Sequence, residues 1–207
     1  MFQIRSVIGV LLVANIVVYG LQQMFPETML IHFALWPWGS FSDGDVSVGF
    51  KPWQLVTSAF MHGNLPHIAL NMFALWMFGR DVEQVMGSRA FAWLYGASIL
   101  TGSIVQLIVV SMNVDQVTPT LGASGGVFGV LLAFGMMFPR RKVLIYGVIP
   151  LPAWAMVAGY GALELTQGVL GTQQGVAHFA HLGGMLGAFL VLFTMARQSL
   201  RRARQIY

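Results

Sequence analysis

The stretch "TLGASGGVFGVLLAFGMMFP", residues 120–139, is an apolar run whose mouth holds one serine, Ser124, among Gly122, Gly125, Gly126 and Gly129. A helix crossing a hydrocarbon core needs about 20 apolar residues, and from residue 122 to 139 this stretch qualifies. Five more such runs read at residues 5–24, 66–86, 90–112, 150–170 and 176–196. The composition agrees: of 207 residues 57% are hydrophobic and 9% charged, with a mean hydropathy of +0.72. Those values exclude an ordinary soluble domain. The expected fold is an all-α membrane protein, one six-helix bundle over residues 1–207 with no room for a second domain.

The charges orient the bundle. A net charge of +4 and a pI near 9.9 raise nucleic acid as a partner, but the positions favour topology. With the N-terminus inside, Arg5, Arg80, Arg89, Arg140, Arg141, Lys142, Arg197, Arg201, Arg202 and Arg204 share the cytoplasmic side and only Lys51 lies outside. That is the positive-inside pattern, and the tail "RQSLRRAR", residues 197–204, suits anionic headgroups. The expected partner is therefore the bilayer, with no nucleic acid. The first run is too long for a signal-peptide core and no small-residue cleavage site follows it, so it reads as a retained span. The absence of cysteine rules out disulfides and thiol chemistry. These features fit a bacterial or an archaeal cell membrane, the bacterial one being the expectation, with both termini cytoplasmic.

Residues 25–65 form a long, greasy connection in which Phe33, Leu35, Trp36, Trp38, Phe41, Phe50 and Trp53 alternate with Gly, Ser and Asp. Such a segment suits the outer interface. Farther on, "PRRK" (Pro139–Lys142) is followed by Pro150 and Pro152, which stop a helix and start the fifth span near residue 152. That span ends near the Gly/Gln-rich stretch over residues 166–175.

Polar side chains inside spans are costly and point to function. Three sets occur: His62, His67 and Asn71 in "MHGNLPHIALN" (Met61–Asn71); Ser124; and His178 and His181 in "AHFAHLGG" (Ala177–Gly184). All three open spans that run from outside to inside, so they share one depth in the outer leaflet. His67 and Asn71 are four apart and lie on one helix face, as do Ser124 and Phe128. Gly122, Gly125, Gly126 and Gly129 form one small face, and Gly183, Gly184, Gly187 and Ala188 another. Small faces let helices approach closely, which proton transfer between a serine and an imidazole requires.

A metal is the competing chemistry, because His178 and His181 have a workable ligand spacing. No HExxH pattern or cysteine occurs, and Asp115 and Glu164 read as lying in or near other loops, so no carboxylate is expected beside either histidine pair. The expectation is a Ser–His dyad without metal or cofactor.

The motifs together resemble the rhomboid intramembrane serine proteases: "GASG" at Gly122–Gly125, the His62/His67/Asn71 spacing, "AHLGG" at Ala180–Gly184, and "GRDVEQVMG" at Gly79–Gly87, similar to the family's GxxxExxxG. The resemblance implies Ser124 as nucleophile, His181 as general base, and Phe128 stacked on that imidazole. It implies His67, Asn71 and the Ser124 amide as the oxyanion hole, with Gly122 and Gly125 in support. His62 matches a mainly structural histidine, and His178 receives no catalytic role. The implied substrates are single-span membrane proteins cut near the outer end of their helix. The fifth span, with Gly159, Gly161 and Ala162, is the expected gate. Two positions depart from the family: Trp53-Gln54 stands where a Trp-Arg pair is frequent, and Ala188 replaces a glycine. A non-catalytic relative would lack the serine or the histidine, and both are present. A transporter would need carboxylates within the membrane, where only Glu164 stands, near one end of a span.

Overall fold

Proline, glycine and asparagine set most of the helix ends. The computed structural model describes residues 6–43, 46–112, 117–145, 147–171 and 176–204. Helix α1 (Val7–Met24) starts at Ser6, whose Oγ accepts the Gly9 N–H at 3.0 Å. Pro26 opens the short α2 (Pro26–Phe33), and an antiparallel hairpin follows, β1 (Ser40–Asp43) with β2 (Val46–Gly49). After α3 (Gln54–Thr57) and a 3-10 turn (Ser58–Phe60) comes α4 (Leu65–Met86). Asn64 caps α4 by accepting the His67 N–H at 2.8 Å, with proline in the first turn. Gly87, at φ +81°, ends it and admits α5 (Ser88–Met112). Then come α6 (Ser124–Met137), the hairpin β3 (Lys142–Ile145) and β4 (Ile149–Pro152), α7 (Ala153–Leu170) and α8 (His178–Arg204).

The six long helices coincide with the six apolar runs to within three residues, except that α8 continues to Arg204. Helices α1, α5 and the part of α8 up to Ser199 are each long and apolar enough to cross a bilayer. Helix α1 turns Val10, Val13, Ile16 and Val17 outward, all more than half exposed, as a lipid-facing surface requires. Helix α6 is apolar but has only 14 residues, about 21 Å against a hydrocarbon core of about 30 Å. Ser124 stands at one end of this short helix and the "PRRK" charges follow the other.

Helix α8 is wedged between α5 and α6 along a seam of small residues. A Cβ on Gly184 would overlap the Gly125 carbonyl, and one on Gly183 would stand 2.9 Å from Gly102 Cα. The Thr101 hydroxyl lies 2.8 Å from both the Gly183 and the Ala97 carbonyl oxygens, so it bonds across the seam. The glycine face of α6 therefore serves two neighbours. Gly125 meets α8, whereas Gly126 lies under the Tyr95 ring of α5 and Gly129 beside Ser98 and the Gly184 carbonyl. The α5 half of this seam was not read from the sequence.

At the opposite end, Glu83 explains "GRDVEQVMG". Its carboxylate accepts the Val7 N–H at 2.8 Å, the Ile8 N–H at 3.3 Å and the Ser88 hydroxyl at 2.6 Å. It thus satisfies amides that the first turn of α1 leaves free and ties that turn to the α4–α5 corner. Gly79 leaves room for Ile8 and Phe91 beside it.

The outer connection is folded rather than merely interfacial. Gln54 is fully buried, its Oε1 accepting the Lys51 N–H at 3.0 Å and the Trp36 N–H at 3.4 Å. A neutral amide thus holds the backbone at the position where the family's Trp-Arg pair is frequent. Leu35 and Thr120 exchange two backbone hydrogen bonds, 2.9 and 2.8 Å, and the Gly122 N–H donates to the Ser58 carbonyl at 2.9 Å. These bonds fix the chain that leads into Ser124. Arg5, Asp115 and residues 172–175 of the Gly/Gln-rich stretch lie outside the described residues.

Candidate active site

Ser124 is the first residue of α6. The amide of a helix's first residue has no acceptor within its helix, and helix N-termini favour negative charge. Gly122 precedes it outside the helix, at φ +136°, a correction to its expected place on the α6 face. Its role is close approach. A Cβ there would stand 2.9 Å from His67 Nε2 and 3.6 Å from Ser124 Oγ, so a side chain at 122 would push that imidazole away.

His67 and Asn71 lie one turn apart on α4. Asn71 is buried and donates one Nδ2 hydrogen to the His67 carbonyl at 3.1 Å, which leaves its second hydrogen for another acceptor. His62 stands before α4, buried, with its ring edge-on to His67 at 5.0 Å. Burial, and then the neighbouring His67, lower its pKa to about 4, so it is neutral at physiological pH.

His181, in the first turn of α8, is buried against Phe128, the two rings parallel within 5° at a centroid distance of 4.2 Å. Tyr160 of α7 braces Phe128 edge-on at 6.4 Å. Ser124, His67, Asn71, Phe128 and His181 all line one cavity of about 1050 Å³. It runs from this outer cluster along Phe73 and Met77 of α4 and Met156 and Tyr160 of α7 down to Val143. A second cavity of about 20 Å³ lies behind the serine, lined by Ser58, Ser103, Gln106, Thr120 and Ser124. That is room for about one water.

A rhomboid-domain family model matches residues 49–198 of this chain. The chain belongs to the rhomboid family. It is 33% identical over 156 residues to Rhomboid protein 1, mitochondrial, of Saccharomyces cerevisiae, covering 74% of this chain and 45% of that protein. It is also 28% identical over 196 residues to RHOMBOID-like protein 12, mitochondrial, of Arabidopsis thaliana, covering 87% and 55%. A third relative is Presenilin-associated rhomboid-like protein A, mitochondrial, of Danio rerio, 32% identical over 140 residues and covering 64% and 34%. This rhomboid thus spans about half the length, or less, of these relatives, all of which carry a mitochondrial designation. It is a helical, multi-pass membrane protein.

One expectation fails within this rhomboid's site. Glu164 is not in a loop apart from the histidines. It sits inside α7, buried, with Oε2 2.6 Å from His178 Nδ1 and 2.8 Å from His181 Nδ1. The expectation that no carboxylate stands beside the base is therefore wrong. The packing of α7 against α8 sets position 164 against position 181, and spacing along the chain does not report that. A buried acid followed by two histidines one turn apart was the available signal.

Proposed function

We propose that this rhomboid is an intramembrane serine endopeptidase that cuts single-span membrane proteins near the outer end of their helix. The observation that carries the reading is the convergence of Ser124, His67, Asn71 and the Phe128-stacked His181 on one end of a single cavity. In the proposed reaction His181 takes the Ser124 proton as Oγ attacks the scissile carbonyl. The free Ser124 amide, His67 and the second Asn71 hydrogen hold the oxyanion, a role in which one donor is worth about 10²–10³ in rate. His181 then returns the proton to the leaving amine, and water releases the acyl group.

The cavity supports entry from the side. It lies between α4 and α7, is apolar along Phe73, Ala74, Met77 and Met156, and has the reacting groups at one end. An unwound strand of substrate fits that shape, and displacement of α7, which carries Gly159 and Gly161, widens it. The one-sided distribution of Lys and Arg supports placing both termini on one face of the membrane, which we read as the cytoplasmic face of a cell membrane.

The test is cleavage of a panel of single-span proteins in liposomes. Wild type cuts at one or a few bonds near the outer membrane boundary, and folded Ser124→Ala and His181→Ala cut none. Turnover by either variant at the wild-type rate refutes the assignment. A folded wild type that binds the panel without cutting it favours a non-catalytic rhomboid.

A further inference from the structure

Glu164 is the buried charge that the reaction above leaves without a role. Isolated carboxylates are strongly disfavoured in apolar surroundings, and this one is only 7% exposed. Two imidazoles and the start of α8 surround it, and a helix N-terminus favours negative charge. The His178 contact, at 2.6 Å, has the direction of a hydrogen bond, Nδ1–H donating to Oε2. The His181 contact, at 2.8 Å, is nearly as short but is not aligned as a bond, and catalytic hydrogen bonds often tighten only once substrate is in place. The imidazoles of His178 and His181 stand edge to face at 6.4 Å, both addressing the same carboxylate.

We propose that Glu164 is a positioning residue for the base: held by the His178 Nδ1–H, its carboxylate draws the Nδ1–H of His181 toward α7 and so turns Nε2 toward Ser124. This rests on the protease reading. It converts a two-residue device into one with a third group that fixes the tautomer and supports the imidazolium formed during attack, with Phe128 holding the ring plane from the side. No proton passes to Glu164. The carboxylate stays ionised while the Ser124 proton goes to His181 Nε2 and then to the leaving amine. His178 acts through Glu164 and touches neither reacting group.

The same three side chains form a His2Glu set that a metal could use. The separations argue for hydrogen bonding. Ligand atoms about 2.0–2.1 Å from a tetrahedral zinc stand roughly 3.3 Å apart, whereas these contacts are 2.6 and 2.8 Å.

The test compares wild type, Glu164→Gln and His178→Gln in detergent, each shown folded by gel filtration and thermal unfolding. Glu164→Gln is expected to lower kcat about 10- to 100-fold with KM nearly unchanged, and His178→Gln by less. A second readout is independent of turnover. In Ser124→Ala labelled with ¹⁵N-histidine, the His181 Nδ1–H gives a downfield proton resonance of a carboxylate-bonded imidazole, assigned by its loss in His181→Gln. The resonance shifts upfield when Glu164→Gln is added. A folded Glu164→Gln with wild-type kcat, a loss confined to KM, or the absence of that resonance overturns the proposal. Loss of activity and resonance on treatment with EDTA also overturns it, in favour of a metal site. If wild type cuts nothing, the protease reading fails on its own, and the resonance still decides whether Glu164 holds His181.

Discussion

Gly184→Ala probes whether nucleophile and base depend on backbone contact between α6 and α8. Gly184 lies three residues after His181, and its neighbour across the seam, Gly125, follows Ser124. A Cβ at 184 would overlap the Gly125 carbonyl oxygen and stand 2.6 Å from its carbon. Nonbonded carbons rest at about 3.5–4.0 Å, so the helices must part by about 1 Å. Overpacking of this kind costs about 1–3 kcal/mol. The catalytic cost is the sharper readout, since a 1 Å misplacement of reacting groups can lower the rate about 100-fold. The assay is kcat on a single-span substrate in liposomes, normalised to folded protein, with Gly96→Ala as control. Gly96 also lies in a membrane helix, α5, but a Cβ there meets nothing within 4 Å, so that variant should cut like wild type. Wild-type turnover by folded Gly184→Ala would refute the claim that the seam sets the Ser124–His181 geometry.

Asn71→Ala should lower kcat about 10²–10³-fold with little change in KM, because the lost donor acts on the oxyanion and not on bound substrate; steady-state kinetics checks this. Glu83→Ala should lower stability by about 2–3 kcal/mol, from the loss of charge-assisted bonds to α1. Since the change is at the far end of the bundle, the rate per folded molecule measured below the melting range should not move. His62 gives a pH dependence. Its pKa is near 6.5 when unfolded and about 4 when folded, so the unfolded chain binds more protons between those values. Its contribution is complete above pH 6.5 and falls away toward pH 4, by up to about 3 kcal/mol. Thermal unfolding across that window should show a loss that His62→Gln flattens.

The sequence carried most of the fold because helix boundaries here are chemical. Pro152 starts a helix at the expected place, Pro26, Asn64, Gly87 and Gly171 mark further helix ends, and three of the apolar runs form helices long enough to cross a bilayer. The site was legible as three polar sets at the starts of spans, members of which line one cavity. Three things were not. The approach of α5 to α8 through Gly102, Thr101 and Gly183 is a matter of which helices are neighbours, and hydropathy is silent on that. Glu164 was hidden for a related reason: its position near the end of a span suggested solvent, whereas the packing of α7 on α8 buries it against His178 and His181. Gly122 was misplaced because a glycine-rich motif looks helical until one φ is seen to be positive.

The central claim is that Ser124 is a nucleophile made reactive by His181. The most direct measurement exposes the protein in bilayers to a fluorophosphonate and maps the adduct by mass spectrometry. The account predicts one adduct, on Ser124, absent in Ser124→Ala and greatly slowed in folded His181→Ala. Folded wild type that stays unmodified, or reacts equally at Ser58 or Ser103, contradicts it.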